Sequence, residues 1–288
     1  MGKGKIIRNF IKKGELLVSP GAFNSISAKI VEQAGFNSVY MTGYGAAANL
    51  LGSPDIGLLS VSEMTKQLAY MDEAVNIPII ADADTGYGNV LNMYRTVKEY
   101  EKAGAAAIQI EDQSWPKRCG HMDGKQVISA EEMVSKIKAA VDARQDEDTV
   151  IIARTDALAP LGFDEAIRRG NLYKEAGADV IFVEAPPDAD KLKQVPKLVK
   201  APILANMIEG GKTPVLSAKE LQNLGFAISI YPLSTLYVMT KAVKELLQEL
   251  RKTGTTHGKI NDMIDFPEFN EIVELSKIRE TEKKYSNL

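Results

Sequence analysis

The run Pro116-Lys117-Arg118-Cys119-Gly120-His121 sets the only cysteine of the chain between two cations and one of its two histidines. A thiol in that company is expected to ionise below its ordinary range, and the thiolate is the form that reacts as base or nucleophile. Just upstream lie two acidic runs, Ala81-Asp82-Ala83-Asp84 and Ile110-Glu111-Asp112. Carboxylate oxygens gathered in this way suit a hard divalent cation such as Mg²⁺. A lone cysteine is more often an inert packing residue. Beside a carboxylate cluster it reads instead as part of an enzyme's active site.

Short apolar runs alternate with longer amphipathic ones along the chain. Strands are expected at 15–19, 38–42, 78–82, 106–111, 150–154, 180–184, 203–206 and 227–231. They are apolar on both faces, as parallel strands buried between helices and a core must be. Helices are expected at 25–32, 61–75, 90–103, 130–144, 163–176, 190–199, 217–224 and 233–252. Three of them run into Ala-Gly just before a strand, placing Gly35, Gly104 and Gly177 at the position where a left-handed residue ends a helix. Eight βα units predict an α/β fold, a (β/α)₈ TIM barrel. No Gly-x-Gly-x-x-Gly follows the first strand, which argues against a doubly wound sheet. The barrel domain is expected over residues 1–254. Residues 255–288, charged and with helical patches near 261–263 and 268–282, read as a C-terminal helical arm.

The chain has 288 residues and a net charge of -3, so it carries no basic field for nucleic acid. It contains no stretch of 18 apolar residues to span a membrane. The stretch Ile6 to Phe10 that follows the basic first residues is too short for the apolar segment of a secretion signal. A single cysteine suits a reducing compartment, and a cytoplasmic location is expected.

In such a barrel the active site lies at the C-terminal ends of the strands. Those ends carry Thr42-Gly43-Tyr44-Gly45, then Asp82 and Asp84 with Thr85-Gly86-Tyr87-Gly88, then Glu111-Asp112-Gln113. Arg154-Thr155-Asp156, Glu184, Asn206 with Glu209, and Tyr231 with Ser234 complete the set. Each has a structural counterpart. Asp82 and Asp112 could cap helices or hold lysines, and Arg154 could simply pair with Glu184. Glycines 43, 45, 86 and 88 could only form turns, though a backbone bare of side chains would also offer N–H groups to a carboxylate. His257 is expected in solvent. What outweighs these readings is that the polar residues gather at one end of seven of the eight expected strands.

The motifs Ala-Asp-Ala-Asp-Thr-Gly-Tyr-Gly (81–88), Gln-Ile-Glu-Asp-Gln (109–113), Lys-Arg-Cys-Gly-His (117–121), Ala-Arg-Thr-Asp-Ala (153–157) and Leu-Ala-Asn-Met (204–207) occur together. With them, over about residues 6–252, the chain resembles the isocitrate lyase / phosphoenolpyruvate mutase superfamily, and its cysteine motif resembles the lyase branch. The resemblance implies a barrel whose eighth helix swaps between the subunits of a homotetramer. It implies Mg²⁺, or Mn²⁺, held by Asp84 with Asp82, Glu111 and Asp55 in the inner or water-bridged shell. The implied substrate is a small 2-hydroxy di- or tricarboxylate. Its α-hydroxy-carboxylate end would lie on the metal, on Thr42, Gly43 and Tyr44, and on Arg154. Cys119 would protonate the enolate left by carbon–carbon cleavage, beneath a closing lid. Lys117, His121 and Glu184 join the implied catalytic set, and Gly120, His121, Asn206, Tyr231 and Ser234 the substrate contacts.

Members acting on 2-methylisocitrate usually carry an Arg after strand eight, and the corresponding position here holds Tyr237. That points to a dicarboxylate such as 2,3-dimethylmalate or another alkyl malate. The alternatives are a 2-methylisocitrate lyase giving pyruvate and succinate and, more distantly, a phosphonomutase, against which Cys119 and His121 argue.

Overall fold

The computed structural model describes residues 2–122 and 124–286. Helix α1 (Lys3–Lys13) leads into β1 (Leu17–Ala22), α2 (Ser25–Gln33), β2 (Val39–Met41), α3 (Gly43–Leu51), α4 (Val61–Ala74), β3 (Ile79–Asp82), α5 (Val90–Lys102) and β4 (Ala105–Glu111). There follow α6 (Ala130–Ala143), β5 (Val150–Thr155), α7 (Leu158–Leu161), α8 (Phe163–Glu175), β6 (Val180–Val183), α9 (Ala189–Leu198), β7 (Ile203–Asn206), α10 (Ala218–Leu224) and β8 (Ile228–Tyr231). The eight strands are all parallel and close into a barrel in chain order. The expected TIM barrel is therefore the fold.

Strand side chains alternate between two faces, and here both faces are buried. Ile79, Ala81, Ile108, Ile110, Ile151, Ala153, Ile203 and Ala205 belong to the apolar layer shared with the helices. Ile80, Ala107, Val150, Ile152, Val180, Phe182, Leu204, Ile228 and Ile230 fill the barrel interior. Ile7 of α1 is fully buried in that same interior cluster. Gly35, Gly104 and Gly177 all take positive φ (86°, 98° and 109°), as their helix-ending role requires.

Three helices lie outside the expected set: α1, α3 and the four-residue α7. α1 was passed over because its apolar positions are sparse among lysines. α3 was hidden by glycines read as turn residues. Thr42 caps α3, its Oγ1 accepting from Gly45 N–H at 3.2 Å. The glycines serve close approach instead: a Cβ on Gly43 would lie 2.5 Å from Asp82 Oδ2. β1 also runs later than the expected 15–19.

The chain divides into a larger unit ending at Ser234 and a smaller one beginning at Thr235. The smaller unit takes most of α11 (Ser234–Thr253), a 3₁₀ turn (His257–Asp262), α12 (Phe266–Ile272) and α13 (Leu275–Tyr285). The division falls ahead of the expected boundary at 254. Beyond Leu236, α11 buries none of its residues. His257 is exposed, as expected.

Candidate active site

The inward parity of the strands continues past the apolar interior into charge. Ile80 is followed by Asp82, Ala107 by Gln109 and Glu111, Ile152 by Arg154, Phe182 by Glu184, and Leu204 by Asn206, each two residues on. The parallel register sets Glu111 beside Arg154 and Asp82 beside Gln109.

Asp82 Oδ1 accepts from Asp84 N–H (3.1 Å) and from Gln109 Nε2 (3.3 Å), and its Oδ2 accepts from Gly43 N–H (3.2 Å). Gln109 is oriented in turn by accepting from the Tyr40 hydroxyl at 3.0 Å. Asp84 adopts a positive φ of 48°, a conformation Asp tolerates better than most residues. Burial pushes Asp84 up to about 7, against the pull of Lys117 and with the neighbouring charges of Asp82 and Asp55 adding to the rise. Burial likewise raises Glu111 well above the carboxylate range, although Arg154 Nη1 lies 3.2 Å from its Oε2. Both Glu111 oxygens are buried without a hydrogen bond, and Asp84 Oδ1 is met by an ion pair alone.

Across the barrel mouth, Arg154 grips Asp156 with two parallel bonds, Nε to Oδ2 at 2.9 Å and Nη2 to Oδ1 at 3.0 Å. Glu184 accepts from Asn206 Nδ2 at 3.3 Å on each oxygen, and His121 Nε2 lies 3.2 Å from its Oε1. Burial works to raise Glu184, but Arg154, His121 and Lys125 outweigh it and hold the carboxyl below its usual range. His121 Nδ1 accepts from Lys212 N–H at 2.9 Å, so Nε2 is the nitrogen that carries a proton toward Glu184.

The cysteine loop leaves β4 and returns through a Gln113–Val127 bridge. The Gln113 side chain clasps the Arg118 backbone, accepting from its N–H at 3.0 Å and donating to its carbonyl at 2.7 Å. Three side chains pin the loop to the strand ends. Lys117, almost wholly buried, reaches Asp55 Oδ1 at 2.5 Å and Asp84 Oδ1 at 2.7 Å. His121 meets Glu184, and Lys125 Nζ bonds Asp156 Oδ1 at 2.9 Å and the Gly120 carbonyl. Beneath the loop is a cleft with about 370 Å³ of empty space. Its lining combines Thr42, Tyr44, Asp55, Asp82, Cys119, Gly120, Arg154, Glu184 and Asn206 with the apolar Phe182, Ile208, Ile230, Pro232 and Leu233.

Cys119 corrects an expectation. Its thiol is pushed up to about 11, not down, by burial first and then by the carboxylates of Asp55 and Glu184. The flanking cations do not offset this. Lys117 is committed to Asp55 and Asp84, and Arg118 lies on the exposed side of the loop.

A family model described as phosphoenolpyruvate phosphomutase matches residues 7–251. The chain belongs to that family. It is 50% identical over 280 residues to a 2,3-dimethylmalate lyase of Eubacterium barkeri, covering 97% of each chain. It is 48% identical to a chloroplastic carboxyvinyl-carboxyphosphonate phosphorylmutase of Arabidopsis thaliana, covering 96% of this chain and 83% of that one. It is 43% identical to a 2-methylisocitrate lyase of Aeropyrum pernix, covering 94% of this chain and 87% of that one. A crystal structure of 2,3-dimethylmalate lyase, a PEP mutase/isocitrate lyase superfamily member, superposes with a TM-score of 0.93 at 34% identity, covering 99% of this chain and 95% of that one. A phosphonopyruvate hydrolase complexed with oxalate and Mg²⁺ gives 0.89 at 32% identity, covering 99% of each.

The acidic pole fits the cation that the family implies. Buried carboxylate oxygens without hydrogen bonds, on groups whose protonation burial favours, are short of positive charge. Among the described residues no three His, Cys, Asp or Glu side chains are arranged to grip a metal directly.

Most expected site residues come together here, but three corrections stand beside Cys119. Tyr231 does not reach the cleft. It is out of phase with the inward Ile230 and packs in the outer layer, its hydroxyl toward the Leu216 carbonyl. Ser234 bonds Glu209 at 2.5 Å and is not among the lining residues. The Gly43 and Gly45 N–H groups are already taken, by Asp82 and Thr42, and are not open to a substrate carboxylate. Asp112 proves structural: it accepts from Thr155, Tyr173 and Arg169 side chains and from Asp156 N–H. Asp156 stood among the strand-end polar residues without a role of its own, and Lys125 lay outside the expected set. The strand parity of Arg154 and Asp156 was the available signal for the first. Nothing local marked Lys125.

Proposed function

We propose that this enzyme of the lyase branch cleaves the carbon–carbon bond of a small alkyl-substituted 2-hydroxy dicarboxylate, of the 2,3-dimethylmalate kind, to a 2-oxo acid and a carboxylate. One observation carries the reading: among the described residues Arg154 is the only cation that lines the cleft, whose lining also includes the apolar Phe182, Ile208, Ile230, Pro232 and Leu233. A third carboxylate would be buried there without a partner, at a cost of several kcal/mol. The likeness to the Eubacterium barkeri lyase supports the same choice.

In this reading Arg154, fixed by Asp156, holds the α-hydroxy-carboxylate end. Thr42 and Tyr44 flank that end. Asp84, Asp82 and Glu111 hold Mg²⁺, with Mn²⁺ as a substitute, and Asp55 stays on Lys117. When bound, the metal supplies a positive charge for the oxygen that becomes the keto group. As the C2–C3 bond breaks, its electron pair passes to the departing carboxylate arm as an enolate, and the C2 hydroxyl passes its proton to the carboxylate of Glu184, which lines the cleft. Cys119 then hands its proton to C3. A thiol held protonated to about 11 is suited to that donation rather than to attack as a thiolate. The docked loop keeps water from the carbanion-like species.

Among the described residues no helix is long and apolar enough to cross a membrane. α11 exposes Val238, Val243, Leu247 and Leu250, which supports assembly with further copies through that helix, as in a helix-swapped tetramer. The lone thiol supports a reducing cytoplasm.

The test is a coupled 2-oxo-acid assay with 2,3-dimethylmalate, 2-methylmalate, 2-methylisocitrate, oxaloacetate and phosphonopyruvate. The highest kcat/KM is expected for an alkyl malate. A higher value for 2-methylisocitrate would overturn the size argument, and turnover of the phosphonate alone would overturn the lyase assignment.

A further inference from the structure

Lys125 stands outside every role given so far. It does not line the cleft and touches no reacting atom, yet its side chain is only 2% exposed. Its ammonium makes two bonds that join separate parts of the machinery. One goes to Asp156 Oδ1 at 2.9 Å, the same oxygen that takes Arg154 Nη2 at 3.0 Å. The other goes to the carbonyl of Gly120, the residue after Cys119. Gly120 is where the loop comes closest to the strand ends, since a Cβ there would collide with Glu184 and with the Arg154 guanidinium. One buried carboxylate, fully shielded from solvent, thus sits between the cation that meets substrate and the cation that holds the loop down.

We propose that Lys125 is a positioning residue that couples closure of the Cys119 loop to the productive orientation of Arg154, through the carboxylate they share. With Asp156 turned to receive the Arg154 fork, its Oδ1 faces Lys125, and the Lys125 ammonium draws the Gly120 carbonyl, and Cys119 with it, over the cleft. If Arg154 swings away, Asp156 is free to turn and the hold on the loop weakens. Hydrogen bonds to charged groups contribute roughly 1.5–3 kcal/mol each, so losing this link is expected to shift loop closure by about ten- to a hundredfold.

The proposal rests on reading the loop as a lid, and its first readout does not depend on which substrate the enzyme takes. Cys119 is the only thiol, so its alkylation by iodoacetamide in the absence of substrate reports loop opening directly. In Lys125→Met the alkylation rate is expected to rise about tenfold or more with the Tm of the barrel little changed, kcat to fall about tenfold, and KM to rise less. Lys125→Arg, which keeps the charge and the donors, should recover part of the thiol protection. Asp156→Asn should speed alkylation as Lys125→Met does and raise KM more, because Arg154 loses its fork partner. Combining Lys125→Met with Asp156→Asn should add little further alkylation. If Lys125→Met does not fold, Lys125→Gln carries the same test. Alkylation within twofold of the parent enzyme in a folded Lys125 variant, or fully additive effects with Asp156→Asn, would overturn the proposal. Fast alkylation in a variant set that turns over no tested substrate would instead leave the coupling standing and remove the lyase reading.

Discussion

The two ends of the barrel are built on the same eight strands in the same side-chain phase, and burial means opposite things in them. Toward the N-terminal end the inward positions are Leu17, Val150, Val180 and Ile228, and Ile7 is buried with them. There each buried methylene stabilises the fold. Toward the C-terminal end the same phase delivers Asp82, Glu111, Arg154, Glu184 and Asn206 into equal burial. Charges there are costly to bury, and neighbours hold each one: N–H donors on Asp82, the guanidinium fork on Asp156, ammonium groups on Asp55 and Asp84. The exception is Glu111, whose two oxygens lack hydrogen bonds and whose protonation burial favours; burial also raises Asp84, whose Oδ1 is met by the Lys117 ion pair alone. One end is a core. The other is a core with its stability withheld at the positions where a cation and a substrate would complete it.

Five measurements would break or sharpen this contrast. The largest effect is expected at the acidic pole. Asp84→Asn should lower kcat by at least about 10³-fold with the fold retained, and chelation of the parent enzyme should abolish turnover until Mg²⁺ or Mn²⁺ is returned. Full activity after exhaustive chelation would remove the cation from the site. Next comes Cys119→Ser, expected to cost about 10²-fold or more in kcat with Tm unchanged, since it removes a positioned proton donor.

The thiol's pH behaviour tests the same residue with a definite sign. The folded pKa of about 11 lies above the ordinary value of 9.0. Between those values the folded chain binds a proton that the unfolded chain has released, so stability should fall as pH rises through the window. Thiolate absorption near 240 nm should stay absent up to pH 9 in the native enzyme and appear there on denaturation. A native thiolate step near neutrality would show that the flanking cations govern the loop after all.

Ile7→Ala probes the other end. A fully buried side chain in the interior cluster should cost about 2–5 kcal/mol of stability with kcat at 25 °C nearly unchanged, by chemical denaturation and assay on the same sample. A matching loss of kcat would mean that the two ends are not separable. The smallest effect is expected from Tyr231→Phe, with kcat and KM both within about twofold, since its hydroxyl leaves the barrel on the helix side.

The sequence by itself determined the strand–helix alternation, the left-handed glycines at 35, 104 and 177, and the acidic strand ends. These depend on local periodicity and on residues that only one backbone conformation suits. It carried the side-chain phase as well: reading in twos from Ile228 through Ile230 puts Tyr231 outside, whereas reading each strand simply to its last polar residue put it in the cleft. Only the tertiary structure decided the state of Cys119, the partner of Lys117 and the role of Lys125. Asp55 stands 62 positions before Lys117, and Asp156 stands 31 after Lys125. A thiol's pKa is set by desolvation and by whichever charges folding brings beside it, and here the nearest cations in sequence are spent on carboxylates that arrive from elsewhere in the chain.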